Sequence, residues 1–411
     1  MWHKLYRTSE RRSRCAPSWL AAPLDAYLQE LAQKGYRDNT LRIYGDNLFG
    51  FGEFLKQRGI RSLAALPDWI KAFLRRGNQK VKCVRSRRTA LTGFVCHLRN
   101  RGLIPPCETP PATPRDELIG QYVRFLHEHR GVCVEYSKHV KKCCGTFLAY
   151  VAGRGIGQLK SIEPKTIHRF ITHEGNRYCR RTMGDRCSVI RGFLRYLHRQ
   201  GILPVDLSRV VVAPRFYKHE GCPRFITREQ TRAVLEAIDR GIPQGRRDYA
   251  MMLMLATYGV RGIEVIRLQL KDIDWRAEQL HIRTRKAGNN TVYPLATRVG
   301  EAILAYLKDR PKSCHPQVFL TFKAPFGPVK YTAQLGYLVR QYMAKAGIQV
   351  DRPGTHTFRY SCAQRLLDQH VPLKHIGDYL GHGDLNSTQR YTKMAIEPLR
   401  EVAMGDGEDL L

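Results

Sequence analysis

Long apolar runs are missing from this 411-residue sequence. The longest, "YAMMLMLATYGV" (249–260), is broken by Tyr258 and Gly259 and falls short of the ~20 residues that cross a bilayer. It reads as a buried helix, and no membrane partner is expected. The opening, "MWHKLYRTSERRSR", has no apolar core that could serve as a signal peptide. The 12 cysteines include no C-x-x-C pair, which argues against a disulfide framework and leaves a structural zinc site as the minor alternative. The thiols are expected to be reduced and mostly buried, with Cys143 and Cys144 on one helix. There is no P-loop and no carboxylate cluster, so no metal and no cofactor is expected.

Acidic residues are scarce as well. There are 36 against 69 Lys and Arg, a net charge of +33. Such an excess points to a polyanionic partner, and nucleic acid fits it better than membrane. Residues 1–222 hold 41 basic and 17 acidic residues, a net of +24, while residues 223–411 hold 28 and 19, a net of +9. The N-terminal half is therefore the stronger electrostatic clamp. The length allows two or three domains, and 43% hydrophobic content lets each bury a core.

The N-terminal half contains a faint internal repeat. "FGEFLKQRGI" (51–60) resembles "FLAYVAGRGI" (147–156), "IKAFL" (70–74) matches "IHRFI" (167–171), and "GFVCHLRNRGLIP" (93–105) matches "GFLRYLHRQGILP" (192–204). The offsets of 96, 97 and 99 keep order and spacing, as two related modules would. Both read as helices. Leu41, Tyr44, Leu48, Phe51 and Leu55 recur at steps of three or four, with Asp38 or Asn39 as a cap. Ile190, Phe193, Leu194 and Leu197 do the same before Gly201, a stop signal. "PPCETPPATP" (105–114) cannot continue a helix. Basic clusters precede the last helix of each module: Lys80, Lys82, Arg85, Arg87 and Arg88, then Arg177, Arg180, Arg181, Arg186 and Arg191. They are candidates for phosphate contacts along a duplex.

The expected division is a basic segment 1–23, module 24–106, linker 107–117, module 118–205, linker 206–224, a third domain 225–393 and a tail 394–411. "TREQ" (227–230) is a capping box opening a helix. "QLHIRTRK" (279–286), "AGNN" and "TVYPL" (291–295) read as a β-hairpin. Three segments of this third domain carry reactive side chains. Arg261 follows the buried helix, Lys286 stands at the lip of the hairpin turn, and "HTFR" places His356 and Arg359 on one helix face. "LGH" with His382 comes next, and Tyr391 stands nine residues beyond it.

These residues resemble the catalytic domain of the tyrosine recombinases, the phage-integrase family. That family carries an Arg in TGxRxxE, a hairpin Lys, HxxR, LGH and a Tyr. Arg261, Lys286, His356, Arg359, His382 and Tyr391 fill the six places in order, over residues 225–393. The resemblance implies a multidomain chain. All-α DNA-binding modules of the SAM-like core-binding type, here present twice, would precede a mixed α+β catalytic domain. The second copy departs from the family, where one is usual.

The chemistry implied is cleavage and rejoining of double-stranded DNA through a 3′-phosphotyrosyl link, by a homotetramer on paired sites. Two guanidiniums, Arg261 and Arg359, would hold the charge of a five-coordinate phosphorus. Tyr391 would be the nucleophile and Lys286 the acid for the leaving 5′-oxygen. His356 would help take the phenol proton, and His382 would bond the scissile phosphate. Glu264 reads as a support for Arg261, His370 and His375 as surface residues, and Tyr360 and Tyr379 as packed. A cytoplasmic, nucleoid-associated recombinase of a mobile element is expected. The alternatives are a telomere resolvase, a type IB topoisomerase-like enzyme or a non-catalytic DNA-binding protein.

Overall fold

The computed structural model describes residues 18–75, 81–106, 112–151, 156–215, 224–283 and 290–381. Two compact units emerge: residues 107–220, and residues 1–106 together with 221–411. The latter holds two separate cores, one all-helical and one belonging to a mixed α+β part.

The all-helical core is built from α1 (Ser18–Gln33), α2 (Asp38–Lys56), α3 (Leu66–Leu74) and α4 (Val81–Asn100). The apolar face expected on α2 is buried at Leu41, Leu48, Phe51 and Leu55. Its cap differs from expectation. Arg37 is the N-cap, and Asp38 lies in the first turn, where a carboxylate complements the helix dipole. α1 continues through Pro23 and starts ahead of residue 24 because Leu20 is already core. The turn after α1 needs glycine. Gly35 has φ +81°, and a Cβ there would lie 2.3 Å from Cε2 of Phe326, in the α+β part.

Residues 107–220 form α5 (Pro114–Arg130), α6 (Val134–Val151), α7 (Pro164–Gly175) and α8 (Arg180–Arg199), followed by a 3-10 turn at Leu207–Val210. α5 starts within the stretch expected to be linker. Thr113 and Asp116 form a capping box, and Pro114 takes the first helical position, where its missing N–H costs nothing. Leu207 and Val211, also expected in a linker, are buried in this core.

The two helical cores share a packing device. A Cβ on Gly93 would lie 2.3 Å from the Tyr27 hydroxyl, and one on Gly192 would lie 2.7 Å from the Tyr122 hydroxyl. Tyr27 meets Phe94 at 5.5 Å between ring centroids, and Tyr122 meets Phe193 at 5.1 Å. Phe51 and Phe54 pack on Phe73 at 5.2 and 5.3 Å, and Phe147 and Tyr150 pack on Phe170 at 5.3 Å each.

The α+β part comprises α9 (Arg228–Glu236), α10 (Pro243–Tyr258), α11 (Gly262–Arg267), β1 (Ile273–Asp274), β2 (Gln279–Ile282), β3 (Thr291–Pro294), α12 (Thr297–Leu307), α13 (Thr332–Lys345), α14 (Thr355–Asp368) and α15 (Leu373–Leu380). The Thr227–Gln230 capping box opens α9. The strands form an antiparallel sheet in the order β1-β2-β3, with Leu280 opposite Tyr293 and Ile282 opposite Thr291. α10 is the central element, and its Met251, Met252, Met254 and Leu255 are wholly buried. Among the described residues, no helix is long and apolar enough to cross a membrane. Of the described cysteines, Cys143, Cys144, Cys187 and Cys362 are buried, but Cys96, Cys133, Cys179 and Cys314 are exposed. Among the described cysteines the buried and exposed thiols are therefore equal in number, where mostly buried ones were expected.

Candidate active site

The site forms where α10, α14 and α15 meet. Gly259 ends α10 at φ +61°, and a Cβ there would lie 2.8 Å from Leu380 Cδ2 and 3.0 Å from Cys362 Cβ. Only glycine accepts both that backbone and that approach. Two residues on, Arg261 is the N-cap of α11. The carboxylate of Glu264 accepts the Arg261 backbone N–H at 2.8 Å and its Nη1 at 2.9 Å. Glu264 is 2% exposed, so this charge has a single geometry. Arg261 Nη2 donates to the Gly381 carbonyl at 3.2 Å. The Arg261 side chain keeps 24% of its surface open.

Arg359 reaches the same place from α14 and is 3% exposed. Its Nη1 donates to the Gly259 carbonyl at 2.8 Å and its Nη2 to the Leu380 carbonyl at 2.7 Å. Two consecutive carbonyls, Leu380 and Gly381, thus hold the two guanidiniums side by side. The end of α15 suits this task. Terminal carbonyls have no intrahelical partner and carry the negative end of the helix dipole. Gly381, at φ +67°, turns the chain there. Arg365 ties α14 to α10 through the Ala256 carbonyl at 2.7 Å. His356 lies one turn before Arg359 and is exposed, its ring 6.3 Å from that of Tyr360.

Three tyrosines attach the β-hairpin to these helix ends. Tyr293 on β3 meets Tyr258 and Tyr379, each at 5.1 Å between ring centroids. Its hydroxyl donates to the Tyr379 carbonyl, and that of Tyr258 donates to the Pro294 carbonyl at 2.9 Å. Tyr379 is packed against Tyr293 and the core, and burial pushes its phenol well above its ordinary pKa. The strands flanking Lys286 are thereby fixed near the arginine pair. Lys286, His382 and Tyr391 lie outside the described residues.

The basic clusters divide by environment. Arg85, Arg88, Arg177, Arg180 and Arg181 are exposed, and Arg191 is half-buried. Arg87 is half-buried too, donating from Nε to Asn47 at 3.3 Å. Arg186 corrects an expectation. It is 3% exposed, paired with Glu174 and stacked at 4.5 Å on Tyr178, so it serves its own core instead of facing a duplex. Lys80 and the Lys82 side chain lie outside the described residues. The carbonyl cradle of Gly259, Leu380 and Gly381 was not expected, because main-chain acceptors leave no mark on residue identity; only the glycines hinted at it.

Residues 224–397 match the Phage integrase family. A Sinorhizobium fredii protein assigned as an integrase/recombinase, y4rA, is 31% identical over 381 residues, spanning 92% of this chain and 92% of that relative. The chain belongs to the phage integrase family. It is a tyrosine recombinase, an enzyme that breaks and rejoins DNA strands. Tyrosine recombinase XerC of Pelotomaculum thermopropionicum is 30% identical over 69% of this recombinase and 95% of its own length. A relative of that length leaves almost a third of the recombinase unmatched. The crystal structure of XerH site-specific recombinase bound to palindromic difH substrate superposes with a TM-score of 0.53 at 18% identity, over 83% of this chain and 95% of that one. A lambda integrase dimer bound to a core site gives 0.52 at 13%, over 67% and 94%. Both likenesses are of fold.

Proposed function

We propose that Arg261 and Arg359 clamp the scissile phosphate of a duplex while Tyr391 attacks it. The observation that carries this reading is the pair of guanidiniums seated on the consecutive carbonyls of Leu380 and Gly381. Those carbonyls immediately precede His382. Held this way, the arginines present charge-assisted donors before the substrate arrives, so little reorganisation remains at the moment of reaction. The phenolic oxygen of Tyr391 bonds to phosphorus and the bond to the 5′-oxygen breaks. His356 helps accept the phenol proton, Lys286 gives a proton to the 5′-oxygen, and His382 bonds the phosphate. The products are a 3′-phosphotyrosyl link and a free 5′-hydroxyl. A 5′-hydroxyl from another strand reverses the step, so bond energy is conserved and ATP is not consumed.

The finer reading is a mobile-element recombinase working as a homotetramer on paired sites, with the tail 394–411 docking between protomers. The two helical modules are copies of one unit. The Tyr-on-Gly contact and the aromatic cluster recur at offsets of 95 to 99 residues. Exposed Arg85 and Arg88 of the first copy and Arg177, Arg180 and Arg181 of the second face phosphates, with Lys80, Lys82, Arg87 and Arg191 assisting. Arg186 is not part of that surface.

The test is cleavage of a duplex nicked beside the cut site, where the freed 5′-hydroxyl fragment escapes. Arg261→Ala or Arg359→Lys should lower adduct formation about 10²-fold or more, by analogy with the loss of one oxyanion donor. Binding should fall far less. Adduct formation at the wild-type rate in both variants would contradict the clamp.

A further inference from the structure

α10 and α12 run antiparallel, tied at one end by Arg246–Asp309 and at the other by Tyr258–Ala296. Along this pair runs a cleft of about 580 Å³, lined by Arg240, Arg246, Tyr249, Arg298, Ala302 and Ala305, with Glu301 its single carboxylate. It is separate from the arginine pair. Tyr249 stands ten residues before Gly259, about 15 Å along α10 at 1.5 Å per residue.

The basic lining is preformed. Arg246 Nη1 donates to the carbonyls of Arg240 at 2.8 Å and Gly241 at 3.2 Å, which fixes the turn before α10. That turn lies directly on the helix, since a Cβ on Gly245 would fall 1.7 Å from the Asp239 carbonyl oxygen. Arg240 is held 4.8 Å over the Tyr249 ring. Arg240 and Arg298 are exposed, and neither pairs with a carboxylate among the described residues.

We propose that this cleft is a second phosphate site of the recombinase, taking the backbone of a nucleic-acid segment other than the strand being cut. Arginine forks match phosphate oxygens. Arg298 and Ala305 are seven residues apart on α12, about 10 Å, so Arg298 stands at one end and Arg246 near the other, with Glu301, Ala302 and Ala305 along the floor between them. A sugar–phosphate chain can lie on that floor. A free nucleotide shares the phosphate chemistry, but small-molecule sites bury most of their ligand, and here the flanking arginines face solvent.

The proposal rests on DNA being the substrate, and its test separates the two claims. Binding of a long duplex to the full chain would be followed by fluorescence anisotropy across salt concentrations. Arg240→Ala/Arg298→Ala should reduce the slope of log affinity against log salt by up to ~2, at ~0.9 per phosphate contact. Arg228→Ala/Arg276→Ala removes equal charge from exposed positions outside the cleft and should leave the slope nearly unchanged. Adduct formation on a short nicked duplex should be the same in both variants and the wild type. Equal slopes for the two double variants would overturn the proposal. So would a wild-type slope in the cleft variant, including the case where ATP or inorganic phosphate raises the melting temperature of the wild type alone. Absence of adduct in the wild type would contradict the enzymatic reading, while the slopes would still decide the cleft.

Discussion

Single arginines in this chain look alike in sequence and differ in what surrounds them. Arg261 is aimed by a buried carboxylate and keeps an open face, as a group meeting a phosphate requires. Arg186 sits in a basic run yet is enclosed with Glu174, twelve residues away. Removing one partner of a buried ion pair strands the other charge, at a cost of roughly 3–5 kcal/mol. Arg186→Ala should therefore lower unfolding free energy by about that much in a denaturant titration. A phosphate-contacting arginine would instead weaken binding and leave stability unchanged, so a stable Arg186→Ala protein with poor DNA affinity would reverse the assignment. The family resemblance of their motifs pointed to Arg261 and Arg359 as a pair, and the fold brings these two together on the carbonyls of Gly381 and Leu380. The environment of Arg186 was not legible, because burial depends on the partner across the fold.

At the scale of elements, the positions of the arginines depend on two glycines. Gly259 and Gly381 both adopt left-handed backbone and let α10 and α15 end against each other. The "LGH" motif thus has a structural reason: its glycine closes a helix whose last carbonyls hold both guanidiniums. Gly259→Ala forces a Cβ against Leu380 and places an L-residue at positive φ, which by itself costs about 1–2 kcal/mol. The variant should melt at lower temperature and lose cleavage beyond its loss of stability, because the carbonyl of residue 259 also holds Arg359. Wild-type cleavage in a destabilised Gly259→Ala protein would separate the turn from the clamp. Helix and hairpin types were legible from periodicity. Element ends were less so: α1 and α5 both start earlier than expected, because proline inside or opening a helix reads as a break in sequence.

At the scale of the whole molecule, the XerC relative matches 69% of this recombinase over 95% of its own length, and two helical cores accompany the α+β part. The first helical module repeats the packing of the second and shares its surplus of positive charge. Removing residues 1–106 should shorten the DNA segment protected from nuclease and lower the salt slope of binding, while a nicked duplex is still cut. An unchanged footprint would make the first module a protein-contact element. The three matched blocks in the sequence hold Phe51, Phe54, Gly93 and Phe94 and their counterparts Phe147, Tyr150, Gly192 and Phe193, which take equivalent places in the two helical cores. The central claim concerns the covalent step and is tested most directly by trapping the full chain on a nicked duplex, digesting it with protease and sequencing the peptide attached to DNA. The peptide should carry the nucleotide on Tyr391, and Tyr391→Phe should bind DNA and form no adduct. A nucleotide on Tyr360 or Tyr379, or a normal adduct from Tyr391→Phe, would contradict the account.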